Sequence, residues 1–218
     1  YCARLDTRME SVKVLGLVNI TVLAAGSIFT GSVHEPIKGT KNPQKMLQTG
    51  IPFTKKPVAL QFDYKVKMSD RENRIRATGF SKITDVPGKD YPAAILLLQK
   101  RWEDANGNVY AKRIGTMVTY YYHSTDWKNN VTYEIMYGDI TNRPEYKAHM
   151  MRLQATESYT VNSKGESVPI HEVAWGDEND VPTHMYIQFT SSHGGAYIGS
   201  LGNKLWIDNV KLLYKKSI

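Results

Sequence analysis

The sequence predicts an all-β protein, a two-sheet antiparallel β-sandwich of the jelly-roll type. Apolar and polar residues alternate with a period of two through most of the chain, which is typical of strands with one buried face. Turns rich in Gly, Pro and Asn separate roughly ten such segments, as in sandwiches. Because no repeat or low-complexity linker divides the 218 residues, we expect a single domain over 1–218.

The first half of the chain supplies strands of two kinds. Residues 14–29 form the most apolar segment and predict one or two buried strands. Residues 57–68 alternate strictly, so one face of that strand is expected in the core and the other in water. Residues 93–102 are almost continuously apolar, which indicates a central strand. The Asn-Gly-Asn sequence at 106–108 then predicts a hairpin, with the return strand over 109–122.

The second half adds further strands and one exception. Alternation over 131–137 and apolar residues at 184–192 predict two strands, and 158–175 predicts a hairpin that turns at 162–165. In the segment 144–153, a proline at the first position and apolar residues at i, i+4 and i+7 fit a short helix. A helix and an irregular segment both stay open there.

The last strand, 204–214, carries a carboxylate inside an apolar run. Strict alternation would place Asp208 on the buried face with Trp206, where an unpaired charge costs several kcal/mol. A bulge at Asp208 and Asn209 avoids this, since it returns the residues on either side to one core face. We therefore predict a bulge, with Val210 on the core side after it.

Composition excludes some classes of function. The net charge is +7, but the basic residues are scattered and form no stripe or nucleic-acid motif, so we expect no nucleic-acid partner. The single cysteine, Cys2, rules out an intrachain disulfide. The apolar segment 14–29 is too short and too interrupted to span a bilayer, so no transmembrane segment is expected.

Several phrases together resemble a known family. They are "ARLDT" near the start, "GSIFTG" at 26–31, "IPFTKKPVALQFDYKV" at 51–66, "RIGT" at 113–116, "VTYEIMYGD" at 131–139 and the closing "SSHGGAYIGSLGNKLWIDNVKLLY" from residue 191. The chain resembles the putative carbohydrate metabolism domain of lipoproteins and secreted proteins of glycan-degrading gut bacteria. The resemblance implies a sandwich similar to carbohydrate-binding modules. It also implies an extracytoplasmic location, secreted or on the outer surface as a lipoprotein, and a glycan partner.

The chain departs from the family pattern at one place. About forty residues, 142–181, separate the "YGD" strand from the closing strands, where a short loop is expected. We expect features specific to this protein to lie in this insertion.

The sequence offers no catalytic constellation. Jelly-roll glycosidases place two carboxylates on one strand face, and the strand acids Glu134 and Asp63 have no acidic neighbour on their own face. The six histidines lack the spacing of metal ligands, and no nucleophile elbow or phosphate loop is present. We therefore expect a non-catalytic protein that requires no cofactor, although a carboxylate pair assembled from different strands stays open.

Glycan binding needs exposed aromatic rings beside polar side chains. Trp102 and Trp127 stand beside turns, and one of three consecutive tyrosines, for which we select Tyr121, must face outward. Tyr214 is expected at the edge of the core. Within the insertion, Trp175 is followed by an acidic loop from which we select Asp177 and Asp180 as hydroxyl-reading groups, with a plain solvated turn or a Ca²⁺ loop as alternatives.

The family resemblance also implies a metal near the chain ends. Carbohydrate-binding modules with a similar final strand often hold structural calcium there, so Asp208 and Asp6 are calcium-ligand candidates. The main hypothesis is a glycan-binding domain. A glycoside hydrolase on the same scaffold and an adhesive module that binds another protein are the alternatives. The sequence gives no oligomeric state.

Overall fold

The computed structural model describes residues 1–14, 18–33, 42–79, 81–153 and 158–215. Within these ranges the regular secondary structure is β-strand, apart from one 3-10 helix at Pro43–Met46. The side chains of residues 12–19 are not described.

Eighteen strands lie in the described ranges. In chain order they are β1 (Ala3–Val14), β2 (Val18–Ala25), β3 (Ser27–Phe29), β4 (Gly31–Val33), β5 (Leu47–Thr49), β6 (Ile51–Pro52), β7 (Ala59–Lys67), β8 (Arg74–Arg76) and β9 (Thr84–Val86). They continue with β10 (Ala93–Glu103), β11 (Val109–Tyr120), β12 (Thr125–Glu134), β13 (Met136–Tyr137), β14 (Tyr159–Val161), β15 (Ser167–Trp175), β16 (His184–Thr190), β17 (Ile198–Gly199) and β18 (Lys204–Leu213).

The strands form two large sheets and one small one. The first sheet has the order β12-β7-β18-β1-β2, and the second has the order β3-β16-β10-β11-β15-β14-β5-β4 with β13 and β6 at its margins. A three-stranded sheet, β17-β8-β9, completes the set. Only the β11–β15 and β14–β5 pairings of the described strands are parallel. The predicted all-β sandwich is confirmed.

The core lies between the two large sheets. One layer comes from β7, β18 and β1, and the facing layer comes from β10, β11 and β16. In β7 the alternation predicts the inward residues correctly, because Leu60, Phe62 and Val66 are fully buried. Two side chains, Phe62 of the first sheet and Phe189 of the second, meet edge to face with centroids 4.9 Å apart.

The strand β10 is buried on both faces, as its continuous apolar sequence predicts. One face joins the core, and the other carries Ile95 and Leu97, which pack with Val118. Met150 and Met151 from the insertion cover this second face. The insertion therefore supplies a second apolar layer on the outside of the sandwich.

The predicted helix at 144–153 is not formed. The segment makes separated turns instead, with N–H groups of Arg143, Tyr146 and Met150 each donating to the carbonyl three residues earlier. The adjacent residues Met150 and Met151 both pack on the sheet, whereas a helix would point them in different directions. A segment this short has little helical stability of its own, so tertiary packing decides its conformation.

The other hairpins follow the sequence. The turn at 106–108 joins β10 to β11, and Asp104 accepts hydrogen bonds there from the N–H groups of Asn106 and Asn108. The strands β14 and β15 form the hairpin predicted at 162–165. The predicted apolar strands at 14–29 correspond to β2 and β3, while residues 15–17 lie outside the described residues.

The bulge predicted at Asp208 and Asn209 is confirmed. The register between β18 and β7 shifts between Asp208 and Lys211, and Asn209 is left-handed with φ of 52°. Leu205 and Ile207 are buried as expected. The prediction that Val210 lies on the core side is wrong, because Val210 lies within the bulge and is exposed. The core face resumes at Leu212.

Candidate functional site

A cleft of about 900 Å³ lies at one end of the first sheet, and we call it the cleft throughout. Five segments distant in the sequence line it: the entry to β7, the end of β12, residues 137–143, the loop after β15, and the end of β18. Its side chains include two tyrosines, two glutamates and three cations: Lys56, Thr132, Glu134, Tyr137, Arg143, Glu178, Asn179, Tyr214 and Lys215.

Tyr137 is the fixed centre of the cleft. Its hydroxyl donates to the carbonyl oxygen of Pro57 at 2.6 Å, and its own carbonyl oxygen accepts from Nη2 of Arg143 at 2.7 Å. The ammonium of Lys56 stands 5.0 Å from the centre of the ring. Two half-buried cations therefore contact one half-buried tyrosine, Lys56 at the ring and Arg143 at the backbone carbonyl.

The backbone after Tyr137 brings the loop of residues 176–181 to the cleft. Gly138 has φ of +78°, a conformation that favours glycine, and its N–H donates to the carbonyl of Ile114 at 2.9 Å. A Cβ at Gly138 would lie 3.7 Å from the backbone nitrogen and Cβ of Glu178. The Lys56 ammonium also donates to the carbonyl oxygen of Glu178. These contacts fix the loop against the "YGD" turn.

The acidic residues of this loop divide into two roles. Asp177 accepts from the N–H of Asn179 at 2.7 Å, and Asp180 accepts from the N–H of Asp177 at 3.2 Å and from Lys100 at 2.9 Å. These bonds shape the loop and lower the pKa of Asp180, first through Lys100. Glu178 and Asn179 line the cleft instead. Thus the predicted loop contributes to the site through the two residues between the selected aspartates.

The charges that line the cleft are not neutralised by one another. In the part of the chain that the structure describes, no carboxylate oxygen lies within 4.0 Å of the side-chain nitrogens of Lys56, Arg143 or Lys215. Glu134 and Glu178 are both exposed to solvent. The cleft therefore offers charged donors and acceptors that water, or a ligand, must satisfy.

Tyr137 is a neutral hydrogen-bonding group. Burial, and then the neighbouring Tyr214, raise the pKa of Tyr137 to about 12, so the hydroxyl keeps its proton at neutral pH. Tyr214 is 43% exposed. The prediction that Tyr214 lies at the core edge is thus corrected, because the core face of β18 ends at Leu212 and the chain then leaves the sheet.

The predicted tryptophans do not line the cleft. Trp175 is half-buried, with the guanidinium carbon of Arg113 5.6 Å from its ring. Trp102 is 43% exposed and stacks on Tyr110 with centroids 5.8 Å apart, while Trp127 is 42% exposed on the edge strand β12. Their place as glycan-binding residues stays a prediction.

The prediction that Tyr121 faces outward is wrong. It is only 6% exposed and belongs to the core, where its ring lies 4.6 Å from that of Tyr64. The alternation of β-structure turns Tyr122 outward instead, with 47% of its surface exposed. A ring enclosed in the core cannot stack on a sugar.

The two predicted calcium ligands lie apart. Asp6 is opposite Lys204 in the β1–β18 register, so about four strand residues, or roughly 13 Å, separate it from Asp208. Asp6 binds Arg4 through its carboxylate, and Asp208 accepts from the N–H of Asn209 at 2.8 Å. Across the described ranges, which leave out His34, Glu35 and Glu157, no three His, Cys, Asp or Glu side chains form a group suited to a metal ion. Calcium at this end of the chain stays a prediction.

Sequence reasoning missed most of the cleft. Glu134 and Glu178 come from a strand and a distant loop, so no spacing along the chain relates them. Tyr137, Arg143 and Tyr214 carry no local signal either, apart from the family phrase "VTYEIMYGD" that contains the first of them. The common feature is a position where a strand ends, as expected for sites on loops.

Two solved structures share the fold. One, described as a putative glycoside hydrolase from Bacteroides thetaiotaomicron VPI-5482, has a TM-score of 0.53 and 19% identity, and the match covers 97% of this chain and 58% of that one. The other, described as a putative glycoside hydrolase from Bacteroides vulgatus ATCC 8482, has a TM-score of 0.52 and 18% identity, with 98% and 73% covered. None of the curated proteins matches the chain.

The remaining findings concern membrane-spanning helices and the family of the chain. No helix in the described ranges is long and apolar enough to cross a membrane. The model of one family, described as "Putative carbohydrate metabolism domain", matches residues 1–213. Because this match covers nearly the whole chain, the protein belongs to the putative carbohydrate metabolism domain family.

Proposed function

We propose that the protein is a glycan-binding domain that holds its ligand in the cleft without cleaving it. The observation that carries this proposal is the pairing of two tyrosines with charged and amide groups free of ion pairs in one open cavity of about 900 Å³. A cavity of this volume accommodates a few sugar rings. The family supports a role in carbohydrate metabolism in general.

The chemistry of the lining suits sugars. A pyranose presents an apolar C–H face, which packs on an aromatic ring, and a rim of hydroxyls, which hydrogen-bond to planar polar groups. Tyr214 supplies an exposed ring, and Glu134, Glu178 and Asn179 supply acceptors and an amide donor. Because Tyr137 is already bonded to Pro57 and Arg143, the centre of the cleft is organised before a ligand arrives.

A titration with a panel of oligosaccharides tests the proposal. We expect at least one glycan to bind the wild type at millimolar concentration or below, measured by calorimetry. The variant Tyr214→Ala should weaken that binding about tenfold through the loss of ring contact. Trp127→Ala, which removes an equally exposed ring outside the cleft, is the matched control and should leave the affinity unchanged.

Two results would count against this assignment. If the Trp127 variant loses binding and the Tyr214 variant keeps it, the glycan site lies on the edge strand β12. If no glycan of the panel binds, the glycan-binding proposal fails and the adhesive-module alternative gains support.

A glycoside hydrolase is the second candidate function, and one observation favours it. The cleft holds two carboxylates from different segments, Glu134 and Glu178, as an acid–base pair requires. Both neighbouring structures are described as putative glycoside hydrolases. Against it, both side chains are exposed, whereas a general acid in a glycosidase typically lies in an apolar pocket.

Product analysis separates the two candidates. The wild type and the variants Glu134→Gln and Glu178→Gln are incubated with the glycan that binds, and released oligosaccharides are measured by chromatography. We expect no release above the buffer blank from any of the three. Release by the wild type that both variants abolish would establish the hydrolase instead.

We also infer that the protein works outside the cytoplasm, secreted or on the outer surface. The support is the family, together with structural neighbours from Bacteroides species whose descriptions concern glycans. Protease treatment of intact cells tests this location: a surface protein is degraded, and an internal one is protected.

A further inference from the structure

We propose that the glycan bound in the cleft carries an anionic substituent, a carboxylate or a sulfate, and that Arg143 and Lys56 bind it. This inference rests on the proposed glycan-binding function and names the class of ligand. It comes from two half-buried cations of the cleft, Lys56 and Arg143, that contact Tyr137 and have no carboxylate partner among the described residues.

Arg143 has an incomplete set of partners. Its described hydrogen bond is the one from Nη2 to the carbonyl oxygen of Tyr137, and a guanidinium has five N–H donors in a planar fork. Among the described residues no carboxylate lies within 4.0 Å of it, whereas a fully buried arginine is almost always paired. Arg113 of the same chain is paired in this way, because its Nε and Nη2 donate to the two carboxylate oxygens of Glu172. Carboxylates and sulfates match the geometry of the open fork.

Lys56 stands on the same tyrosine. Its ammonium lies over the ring of Tyr137 and donates to the carbonyl oxygen of Glu178, so its position is fixed by two neutral groups. A neutral partner does not cancel a positive charge in a half-buried site. Lys56 on the ring of Tyr137 and Arg143 on its backbone carbonyl therefore add two positive charges to the lining of the cleft, where we place the anionic group of the ligand.

The carboxylates of the cleft do not cancel this preference. Lys56, Arg143 and Lys215 outnumber Glu134 and Glu178 by three charges to two, and the whole chain carries +7. Both glutamates are exposed, so water solvates them, and they can accept hydrogen bonds from sugar hydroxyls. The expected ligand is an acidic glycan whose hydroxyls contact the glutamates and whose anionic group contacts Arg143.

Matched pairs of glycans test the inference with the wild-type protein. Oligogalacturonate is compared with its methyl ester, which keeps the backbone and removes the charge, and dextran sulfate is compared with dextran. We expect the anionic member of at least one pair to bind about tenfold more tightly or better. The pair that shows the preference distinguishes a carboxylate ligand from a sulfate ligand.

Charge-matched variants separate the cleft from general attraction to a basic protein. Arg143→Gln should reduce binding of the preferred anionic glycan about tenfold, whereas Lys82→Gln removes the same charge from an exposed loop outside the cleft and should change it less than twofold. Equal losses in the two variants would overturn the inference, since they indicate net charge alone.

The inference and the proposed function fail on different results. If glycans bind but charged and neutral members of both pairs have equal affinity, the acidic-ligand inference is refuted and glycan binding stands. If no member of the panel binds, glycan binding itself is refuted.

Discussion

Asp63 binds two asparagines that lie at irregularities in separate strands of the first sheet. It faces Asp208 across the β7–β18 pair, an arrangement of like charges that disfavours pairing. Its carboxylate accepts from the N–H of Asn130 at 2.6 Å and from the amide of Asn209 at 2.7 Å. Both asparagines are left-handed, with φ of 53° and 52°, and asparagine tolerates that conformation well. The bulges of β12 and β18 thus serve one buried carboxylate.

We predict that Asp63→Asn lowers the melting temperature by several degrees. The new amide nitrogen would face either the N–H of Asn130 or the amide of Asn209, and both of these are donors. One donor would therefore lose its acceptor in a buried position. The matched control is Asp126→Asn, a fully exposed aspartate of the same sheet, which should leave the melting temperature nearly unchanged. Equal melting temperatures for the two variants would show that the bulges do not depend on Asp63.

His184 gives a pH dependence at the residue scale. Burial, and then the nearby Arg101, lower its pKa from 6.5 to about 4, so the ring is neutral in the folded protein. The unfolded chain takes up this proton near pH 6.5, and therefore binds more protons than the folded chain between pH 6.5 and 4. Stability from this group is complete above pH 6.5 and is lost as the pH falls towards 4.

We expect His184→Gln to reduce this loss of stability between pH 6.5 and 4. Chemical denaturation at several pH values from 4 to 7 should show a smaller decrease in unfolding free energy for the variant than for the wild type. His123→Gln, at an exposed histidine, serves as the control and should follow the wild-type curve. If the unfolding free energy of the His184 variant decreases as much as that of the wild type, other groups cause the pH dependence.

At the scale of elements, β15 ties the insertion to the sandwich through a buried ion pair. Both Arg113 on β11 and Glu172 on β15 are almost inaccessible, and Gln99 of β10 donates to the same carboxylate at 2.6 Å. Arg113 also donates to the carbonyl oxygen of Met151 at 3.0 Å. One arginine thereby joins the sheet, the turns of the insertion and the parallel strand.

Removing the negative charge of Glu172 should destabilise the folded protein. We predict that Glu172→Gln reduces the free energy of unfolding by about 3–5 kcal/mol, because it leaves a buried guanidinium uncompensated. Urea denaturation measures this effect, with Glu145→Gln at an exposed position of the same insertion as control. A loss below about 1 kcal/mol would show that water or another group compensates Arg113.

Elements differ in how far the sequence predicts them. The strand β7 and the hairpins at 106–108 and 162–165 follow local patterns, because alternation and turn residues act over a few positions. The bulge at Asn209 was predictable because a charge interrupted the alternation. By contrast, the parallel pairing of β15 with β11 and the turns at 144–153 depend on contacts between distant segments. No local pattern specifies such contacts.

At the scale of the whole molecule, the cleft also depends on contacts between distant segments. The sequence pointed to the loop after Trp175, and Glu178 and Asn179 of that loop do line the cleft. Trp175 itself packs on Arg113, since the buried ion pair beneath it offers a cation to its ring. Tyr137, Arg143 and Tyr214 become neighbours only when both sheets are in place. Their common property, a position at the end of a strand or in the segment after it, is too frequent to identify a site from sequence.

Mapping the ligand by nuclear magnetic resonance tests the central claim, that a glycan binds in the cleft, most directly. An oligosaccharide that binds in calorimetry is titrated into the ¹⁵N-labelled protein, and the shifts of backbone amides are followed. The account predicts that the largest shifts cluster at residues 132–138, 177–179 and 214, with little change near Trp102 and Trp127. Shifts concentrated around either tryptophan, with none in the cleft, would contradict it.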